Sequence, residues 1–311
     1  RVIILRDGTV VEEGATEEVL LRPRESYTQS LIEARALPER GRPPKDRAGE
    51  PPLLRVRNIC KSFGKNGNRI DVLKEASFDL YRGESVGILG RSGCGKSTLL
   101  RMLCGLDFPT EGEIFWNGER ITGPGMDRGM VFQGYTLFPW MRVLDNVAYG
   151  LRASGMSKQE RMDVAKQFLS DIGLEDFTQV YPSQLSGGMR QRVAIARALA
   201  ANPESLLLDE PFGALDAQTR RHMQELTLQM WRKYPKTVIM VTHDVEEAIL
   251  MADRVVIMSA HPGCVREVLE IDIPRPRDAA VKRTEQFRKY KKYCTDIILE
   301  ESQKAEMRIE D

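Results

Sequence analysis

Residues 90–97 read Gly-Arg-Ser-Gly-Cys-Gly-Lys-Ser and match the pattern G-x-x-x-x-G-K-[ST] at every fixed position. An apolar strand is predicted just before them, over residues 85–89, and a helix just after them, over residues 98–103. Glycines let backbone N–H groups converge on a phosphate, and a helix N-terminus adds partial positive charge. We therefore predict a phosphate-binding loop in which Lys96 reaches the terminal phosphates of a nucleotide and Ser97 binds Mg²⁺. A chance glycine-rich turn is the alternative, and the flanking strand and helix disfavour it.

Two carboxylates, Asp209 and Glu210, end the apolar run at residues 205–208. Ser205 followed by three consecutive leucines indicates a strand buried between helices, where ionised groups are tolerated only at the point where the strand emerges. We predict that Asp209 holds Mg²⁺ and that Glu210 polarises the attacking water as general base. A carboxylate pair that caps a strand end is the alternative, and the phosphate loop upstream favours the catalytic interpretation.

Short apolar strands alternate with helical stretches over residues 53–275, which is typical of a parallel sheet covered by helices. Residues 134–182 lose the strand pattern, and residues 158–172 carry apolar side chains at helical spacing, so we predict a helical lobe there. Residues 35–52 are rich in Pro, Gly and charge and are predicted to be a linker. Residues 276–311 are predicted to form a charged helical tail.

The composition excludes several classes of protein. With 46 Lys and Arg against 45 Asp and Glu the net charge is +1, so no global field favours nucleic acid. No apolar run approaches the roughly 20 residues that span a bilayer, so we expect any membrane role to be peripheral. The five cysteines are odd in number and scattered, which argues for a reducing compartment and against a disulfide framework.

Residues 184–192 read Gln-Leu-Ser-Gly-Gly-Met-Arg-Gln-Arg and resemble the signature of ABC (ATP-binding cassette) proteins. Leu-Ser-Gly-Gly-Gln is the commonest form of that signature, and Met189 replaces its final Gln here. The resemblance implies that the Ser186 hydroxyl and the backbone of Gly187 and Gly188 face the phosphates of ATP. A flexible turn that caps the following helix is the alternative, and the position just before the acidic strand favours the family.

Other positions match the family's motifs in the family's order. By this resemblance, Gln133 senses Mg²⁺ and the attacking water, and His243 contacts the γ-phosphate. Residues 213–216, Gly-Ala-Leu-Asp, resemble the D-loop. Phe63 stands where the family stacks an aromatic side chain on adenine, and a core aromatic is the alternative there.

The resemblance covers about residues 53–276 and implies an α/β fold: a P-loop NTPase (RecA-like) core with a β-rich N-terminal subdomain and an inserted helical subdomain. It implies ATP and Mg²⁺ as cofactors, and a head-to-tail dimer in which the phosphate loop of one cassette meets the signature of a second cassette. His222 and His261 match no motif and are interpreted as ordinary surface or loop histidines. The predicted catalytic residues are Glu210, His243 and Gln133; the predicted metal ligands are Ser97, Gln133 and Asp209; the residues predicted to contact ATP are Phe63, Gly90, Arg91, Ser92, Gly93, Cys94, Gly95, Lys96, Ser97, Thr98, Ser186, Gly187, Gly188 and Asp216.

An aromatic stretch, which includes Tyr135 and the run Phe138-Pro139-Trp140, follows Gln133. The sequence of this stretch is most similar to that of the nitrate/sulfonate/taurine importer branch of the family. The resemblance implies transmembrane permease subunits as partners, an extracytoplasmic solute-binding protein as an indirect one, and a peripheral location on the cytoplasmic face of the membrane. The hydrophobic seam of the helical lobe is the alternative role for these aromatic residues.

Residues 1–34 resemble the tail of a peptide-importer cassette, and residues 1–5 resemble residues 254–258. Thr16 is predicted to cap a helix that extends to Leu31. Because the first residue is Arg1 and not Met, we expect the natural protein to be longer, as a tandem fusion of two cassettes. An unrelated amphipathic extension is the alternative.

The competing functional class is a soluble tandem cassette protein that acts on ribosomes or nucleic acid. The stretch between Lys96 and Ser186 leaves no room for the long coiled-coil insertion of DNA-repair members. A basic patch on the tail could suggest nucleic acid or anionic lipid, and a solvated helix face is favoured over both. The patch consists of Lys282, Arg283, Arg288, Lys289, Lys291 and Lys292.

Overall fold

The computed structural model of the chain describes residues 1–6, 9–16, 19, 24–25, 27–28, 49–64, 69–134 and 136–310. The chain divides into two compact units, residues 1–42 and residues 43–311. Residues 35–48 of the predicted linker, most of the predicted helix from Thr16 to Leu31, and Tyr135 lie outside the described residues.

In the first unit, strands β1 (Val2–Arg6) and β2 (Thr9–Gly14) form an antiparallel pair. The pairing register shifts between Ile4 and Leu5. Glu12 on β2 accepts the backbone N–H of Arg24 at 2.9 Å. The carboxylate therefore ties a segment that follows the hairpin back to it.

A six-stranded sheet lies at the centre of the second unit, and its strand order is β12-β11-β5-β10-β9-β8. Five of its strands are parallel, and the edge strand β12 is antiparallel to β11. The strands are β5 (Ser85–Leu89), β8 (Arg128–Val131), β9 (Ser205–Asp209), β10 (Thr237–Thr242), β11 (Arg254–Met258) and β12 (Val265–Glu270). Every residue of β5, β9 and β10 is buried, as expected for strands covered on both faces.

A four-stranded antiparallel sheet supplies the β-rich part of the unit, with strand order β4-β3-β6-β7. Its strands are β3 (Leu54–Phe63), β4 (Ile70–Leu80), β6 (Glu111–Trp116) and β7 (Glu119–Arg120).

Helices surround the central sheet, and most of them come from the second half of the chain. They are α1 (Lys96–Leu103), α2 (Val143–Ala148), α3 (Lys158–Asp171), α4 (Gly187–Ala200), α5 (Ala217–Lys233), α6 (Val245–Met251) and α7 (Glu285–Glu310). Short 3-10 helices lie at Gly150–Ser154, Glu175–Phe177, Pro182–Gln184 and Ala279–Arg283. Among the described residues, no helix is long and apolar enough to cross a bilayer.

The two faces of the central sheet contribute to two different cores. On β9, Leu207 packs with α1 and the antiparallel sheet, whereas Leu206 and Leu208 pack with the helices on the other face. This alternation follows from the two-residue period of a strand. The architecture is the α/β arrangement that the sequence predicts, with an antiparallel sheet on one face of the core and helices on the other.

The tail helix α7 belongs to the second of these cores. Phe287, Cys294 and Ile297 are buried in one cluster with Ile249 and Leu250 of α6. One face of the tail is therefore packed against the helix that follows β10, while its basic residues lie on the other faces.

Candidate nucleotide-hydrolysis site

The loop at residues 90–95 connects β5 to α1, and its glycines are required by its geometry. Gly93 and Gly95 have φ angles of +85° and +93°, in the left-handed region that favours glycine. A Cβ atom on Gly95 would lie 2.7 Å from Cδ2 of Leu73, which is closer than van der Waals contact. The strand–loop–helix context predicted from the motif is present, so backbone N–H groups at the start of α1 can face an anion.

The ammonium group of Lys96 lies inside this loop. Its Nζ donates to the carbonyl oxygens of Gly90 at 2.9 Å and Arg91 at 2.8 Å, and it lies 3.8 Å from Oε1 of Glu210. The residue is only 4% exposed. A nearly buried positive charge at the start of a helix suits a polyphosphate.

Ser97 and Asp209 are brought together, although they are far apart in sequence. The Ser97 hydroxyl donates to Oδ1 of Asp209 at 2.8 Å. Burial raises the pKa of Asp209, and the hydrogen bond from Ser97 opposes that shift. Hydroxyl and carboxylate oxygens are the donors that Mg²⁺ prefers, and the ion usually adds water and substrate phosphates to one or two protein ligands. The described residues contain no group of three or more His, Cys, Asp or Glu that could hold a metal ion. The oxygen donors of Ser97 and Asp209 fit Mg²⁺ together with substrate phosphates and water.

Glu210 is the residue on which the other side chains converge. Its Oε2 lies 3.1 Å from Nδ1 of His243 and accepts from Nε2 of Gln133 at 3.4 Å. Its backbone has a φ of +43°, a conformation that costs a non-glycine residue on the order of 1 kcal/mol or more. The backbone N–H donates to the carbonyl oxygen of Val241 at 3.0 Å, which holds the turn in place. All three residues predicted to be catalytic therefore meet at one carboxylate.

The remaining residues of the predicted phosphate loop differ in exposure. Arg91, Ser92 and Gly93 lie on its exposed rim, and Ser97 and Thr98 at the start of α1 are half-buried. Cys94 is buried, and this burial raises the pKa of its thiol. The thiol therefore faces the protein interior.

The signature and D-loop residues lie at the starts of two neighbouring helices. Ser186 caps α4 by accepting the N–H of Met189 at 3.3 Å, and Asp216 caps α5 by accepting the N–H of Thr219 at 3.0 Å. A Cβ atom on Gly188 would lie 2.8 Å from Cγ2 of Thr219, so the glycine permits a close approach of the two helix starts. The hydrogen bonds from Thr219 and Gln218 lower the pKa of Asp216.

Phe63 is placed at the surface, at the end of β3. It is 46% exposed, and Nζ of Lys61 lies 4.9 Å from the centre of its ring. The alternative of a core aromatic is therefore wrong.

The sequence predicts no role at this site for two residues that lie near it, Glu247 and His261. Glu247 on α6 is 2% exposed, and its Oε1 has no hydrogen-bond partner among the described residues. Burial, with a smaller effect from Asp244, raises the pKa of Glu247 to about 8. His261 is an exposed loop residue, as expected, and a Cβ atom on Gly93 of the phosphate loop would lie 3.6 Å from its Cε1. Neither residue has a local sequence signal, because both positions depend on contacts between distant segments.

Comparisons with known proteins agree with this geometry. The family profile described as ABC transporter matches residues 73–213. An uncharacterized ABC transporter ATP-binding protein of Methanocaldococcus jannaschii is 50% identical over 252 residues, which cover 81% of this chain and 93% of that protein. The chain belongs to the ABC transporter ATP-binding family.

Further relatives in this ABC family carry more specific names. The nitrate import ATP-binding protein NrtD of Synechocystis is 47% identical over 79% of this chain and 94% of its own length. The aliphatic sulfonates import ATP-binding protein SsuB of Bacillus cereus is 46% identical over 76% of this chain and 92% of its own length.

A solved dimeric structure of a post-hydrolysis state of an ATP-binding cassette, bound to ADP and Pi, is similar in fold. The TM-score is 0.64 at 35% identity, over 71% of this chain and all of that chain. The predicted P-loop NTPase fold and the ATP-hydrolysing class of the ABC cassette are thus confirmed.

We expect Glu247→Gln to become more stable relative to the wild type as pH rises. A carboxyl group whose folded pKa is raised favours folding below its ordinary pKa of 4.5 and loses that contribution progressively up to about pH 8. Between pH 6 and pH 9 the difference in unfolding free energy should shift toward the variant by on the order of 2 kcal/mol. Urea unfolding of both proteins at the two pH values measures it. A difference that does not change with pH would show that Glu247 ionises in the folded protein as it does in the unfolded chain.

Proposed function

We propose that this ABC cassette is the ATP-hydrolysing subunit of an importer for a small solute, of the nitrate, sulfonate or taurine type. The observation that carries the hydrolytic part is the meeting of Lys96, Gln133 and His243 at the Glu210 carboxylate. Relatives named for nitrate import and aliphatic sulfonate import support the transport part.

In the proposed mechanism, Glu210 accepts a proton from the water that attacks the γ-phosphate. His243 and Gln133 orient the reacting groups, and Lys96 stabilises negative charge on the β- and γ-phosphates. Ser97 and Asp209 would hold Mg²⁺, which supplies charge neutralisation on the phosphates when it is bound. Phe63 would stack on adenine with its exposed ring.

We propose that the site is completed by a second cassette. Ser186, Gly187, Gly188 and Asp216 would then contact the nucleotide held by the phosphate loop of the partner copy. Dimeric solved structures of similar cassettes support this arrangement. A close approach of the signature helix and the D-loop helix, at Gly188, would let the two motifs move together.

The surface around Trp140 supports a permease partner. Trp140 is 70% exposed, and its ring centre lies 5.6 Å from that of Phe138, which in turn lies 4.6 Å from that of Tyr149. The buried side chain of Asn146 holds this turn: its Oδ1 accepts the N–H of Phe138 at 2.8 Å, and its Nδ2 donates to the carbonyl oxygen of Met141 at 3.1 Å. A rigid turn with an exposed indole ring is suited to receive a short amphipathic helix.

The same surface is tied to the signature helix. Arg197 on α4 donates to the carbonyl oxygen of Thr136 at 2.9 Å, and its guanidinium carbon lies 5.2 Å from the ring centre of Phe138. A displacement of α4 on ATP binding would therefore also move the aromatic turn. With transmembrane permeases as partners, the chain would lie peripherally on the cytoplasmic face of the membrane, and a solute-binding protein would act only indirectly.

The charge distribution supports a transporter subunit over the alternative, a soluble cassette protein that acts on ribosomes or nucleic acid. Among the basic residues of the tail, Lys291 and Lys282 lie 2.6 Å and 3.4 Å from the carboxylate of Glu246, and Lys289 pairs with Glu285 at 3.0 Å. Three of the six basic residues in the patch thus pair with two carboxylates within the protein.

We also propose that residues 1–34 correspond to the tail of a peptide-importer cassette. A shared irregularity in strand pairing supports this part of the proposal. The β1–β2 pair shifts register after Ile4, and the β11–β12 pair shifts register after Ile257, the position that corresponds to Ile4 in the sequence resemblance.

Replacement of Glu210 by Gln should abolish ATP turnover while it preserves ATP binding, because the amide retains the shape but cannot accept the proton. The expected loss is on the order of a hundredfold or more in kcat. ATP should also trap the variant as a dimer, which size-exclusion chromatography with and without ATP detects. Glu119→Gln, at an exposed carboxylate on β7, is the matched control and should remain fully active. An active Glu210→Gln variant that stays monomeric with ATP would show that another group activates the water.

Replacement of Trp140 by Ala should change stability little, by about 0.5 kcal/mol or less, since the side chain is exposed. The ATPase activity of the isolated chain should persist, while co-purification with the permease and its stimulation of hydrolysis are lost. Trp231→Ala is the matched control, because Trp231 is 2% exposed and its truncation should cost roughly 3–5 kcal/mol. Thermal melting and co-purification separate the two roles. A Trp140→Ala variant that unfolds, or one that still assembles and transports, would contradict the coupling role.

A further inference from the structure

The helix α6 begins two residues after His243, and residues of the tail hold it at both ends. Asp244 caps its first turn by accepting the N–H of Glu247 at 3.1 Å. As in any α-helix, the last carbonyl groups of α6 have no partner within the helix. The groups that bond those carbonyls therefore add to the core packing of Ala248 to Met251 in holding the segment after His243.

Arg277 forms hydrogen bonds with the C-terminal end of α6. Its guanidinium donates to the carbonyl oxygens of Ile249 at 2.7 Å and Ala252 at 2.5 Å, and also to those of Ile271 at 3.0 Å and Ile273 at 3.1 Å. The residue is only 2% exposed, and burial lowers the pKa of its guanidinium to about 9. A cation at this end of a helix also interacts favourably with the helix dipole.

Arg275 adds a second contact at the same end. It donates to the carbonyl oxygen of Met251 at 2.8 Å and pairs with Asp253 at 2.7 Å. The two arginines thus bond the carbonyl oxygens of Ile249, Met251 and Ala252, which lie at the buried C-terminal end of α6.

The N-terminal end of α6 is held by the basic face of the tail. Glu246, in the first turn, accepts from Nζ of Lys291 on α7 at 2.6 Å, and Nζ of Lys282 lies 3.4 Å away. The hydrogen bond from Lys291 is the largest cause of the lowered pKa of Glu246.

These contacts exceed what attachment of the tail requires. Phe287, Cys294 and Ile297 already bury apolar surface that holds α7 against the domain. Burial of the Arg277 guanidinium has a desolvation cost, which its hydrogen bonds to backbone carbonyl groups offset. The same hydrogen bonds fix the positions of those carbonyl groups.

We propose that Arg277, with Lys282 and Lys291, forms a set of positioning residues that fix His243 by holding both ends of α6. This inference rests on the proposed role of His243 in hydrolysis. A displaced α6 would move the imidazole away from Glu210, from which it lies 3.1 Å, and would leave the phosphate loop unchanged. Loss of the positioning residues should therefore lower kcat and leave the KM for ATP unaltered.

The test compares ATPase kinetics of the full chain for two charge-matched variants on α7. Lys291→Gln removes a contact with α6 and should lower kcat about two- to fivefold, the range for one exposed ion pair. Lys289→Gln removes the same charge from a residue that pairs with Glu285 of its own helix, and should leave kcat unchanged. Arg277→Lys, which cannot reach all four carbonyl oxygens, should lower kcat about tenfold or more without a change in KM.

A double-mutant cycle with His243→Ala separates positioning from a general structural effect. In that background the Lys291→Gln and Arg277→Lys changes should have no further effect on kcat, since the group that they position is gone. Additive losses, or equal kinetics for Lys291→Gln and Lys289→Gln, would overturn the proposal. If Arg277→Lys does not fold, the lysine pair and its cycle still decide. A His243→Ala variant with normal kcat would instead show that the role proposed for His243 is wrong.

Discussion

The geometry of the candidate site depends on the backbone of Glu210, which leaves the buried strand β9 in a left-handed conformation. That turn points the carboxylate toward residues from three other segments. In a parallel sheet the carboxyl ends of neighbouring strands meet at one edge. The order β5-β10-β9-β8 therefore places the phosphate loop after β5, His243 after β10, Glu210 after β9 and Gln133 near the end of β8 at the same edge. One strained residue and one strand order together assemble the site.

Two structural connections lead away from this carboxylate. Gln133 precedes the aromatic turn that Asn146 and Arg197 hold, and the signature helix α4 is linked to that turn. His243 precedes α6, which the tail holds at both ends. In the proposed mechanism, the first connection carries the state of the nucleotide to the permease, and the second keeps the catalytic geometry constant.

Local sequence patterns were sufficient to predict much of this structure. The buried strands β5, β9 and β10 follow from uninterrupted apolar runs, and the phosphate loop follows from glycine spacing. The exposure of Phe63, the turn held by Asn146 and the burial of Glu247 and Arg277 could not be predicted in this way. The burial of Arg277 depends on partners distant in sequence, such as Ile249, which is 28 positions away. A charged residue is also expected at the surface by its type, so burial of two charged residues had no local signal.

The proposed mechanism requires that the carboxylate of one chain act on a nucleotide that the signature of another chain completes. Mixing two inactive variants, Glu210→Gln and Ser186→Arg, tests this claim directly through the ATPase rate. A mixed dimer combines the intact Glu210 of one chain with the intact Ser186 of the other in one of its two sites. Random pairing should restore up to about a quarter of the wild-type rate, because half of the dimers are mixed and each has one intact site. A mixture as inactive as its components, although mixed dimers form, would show that each chain hydrolyses ATP with its own residues alone.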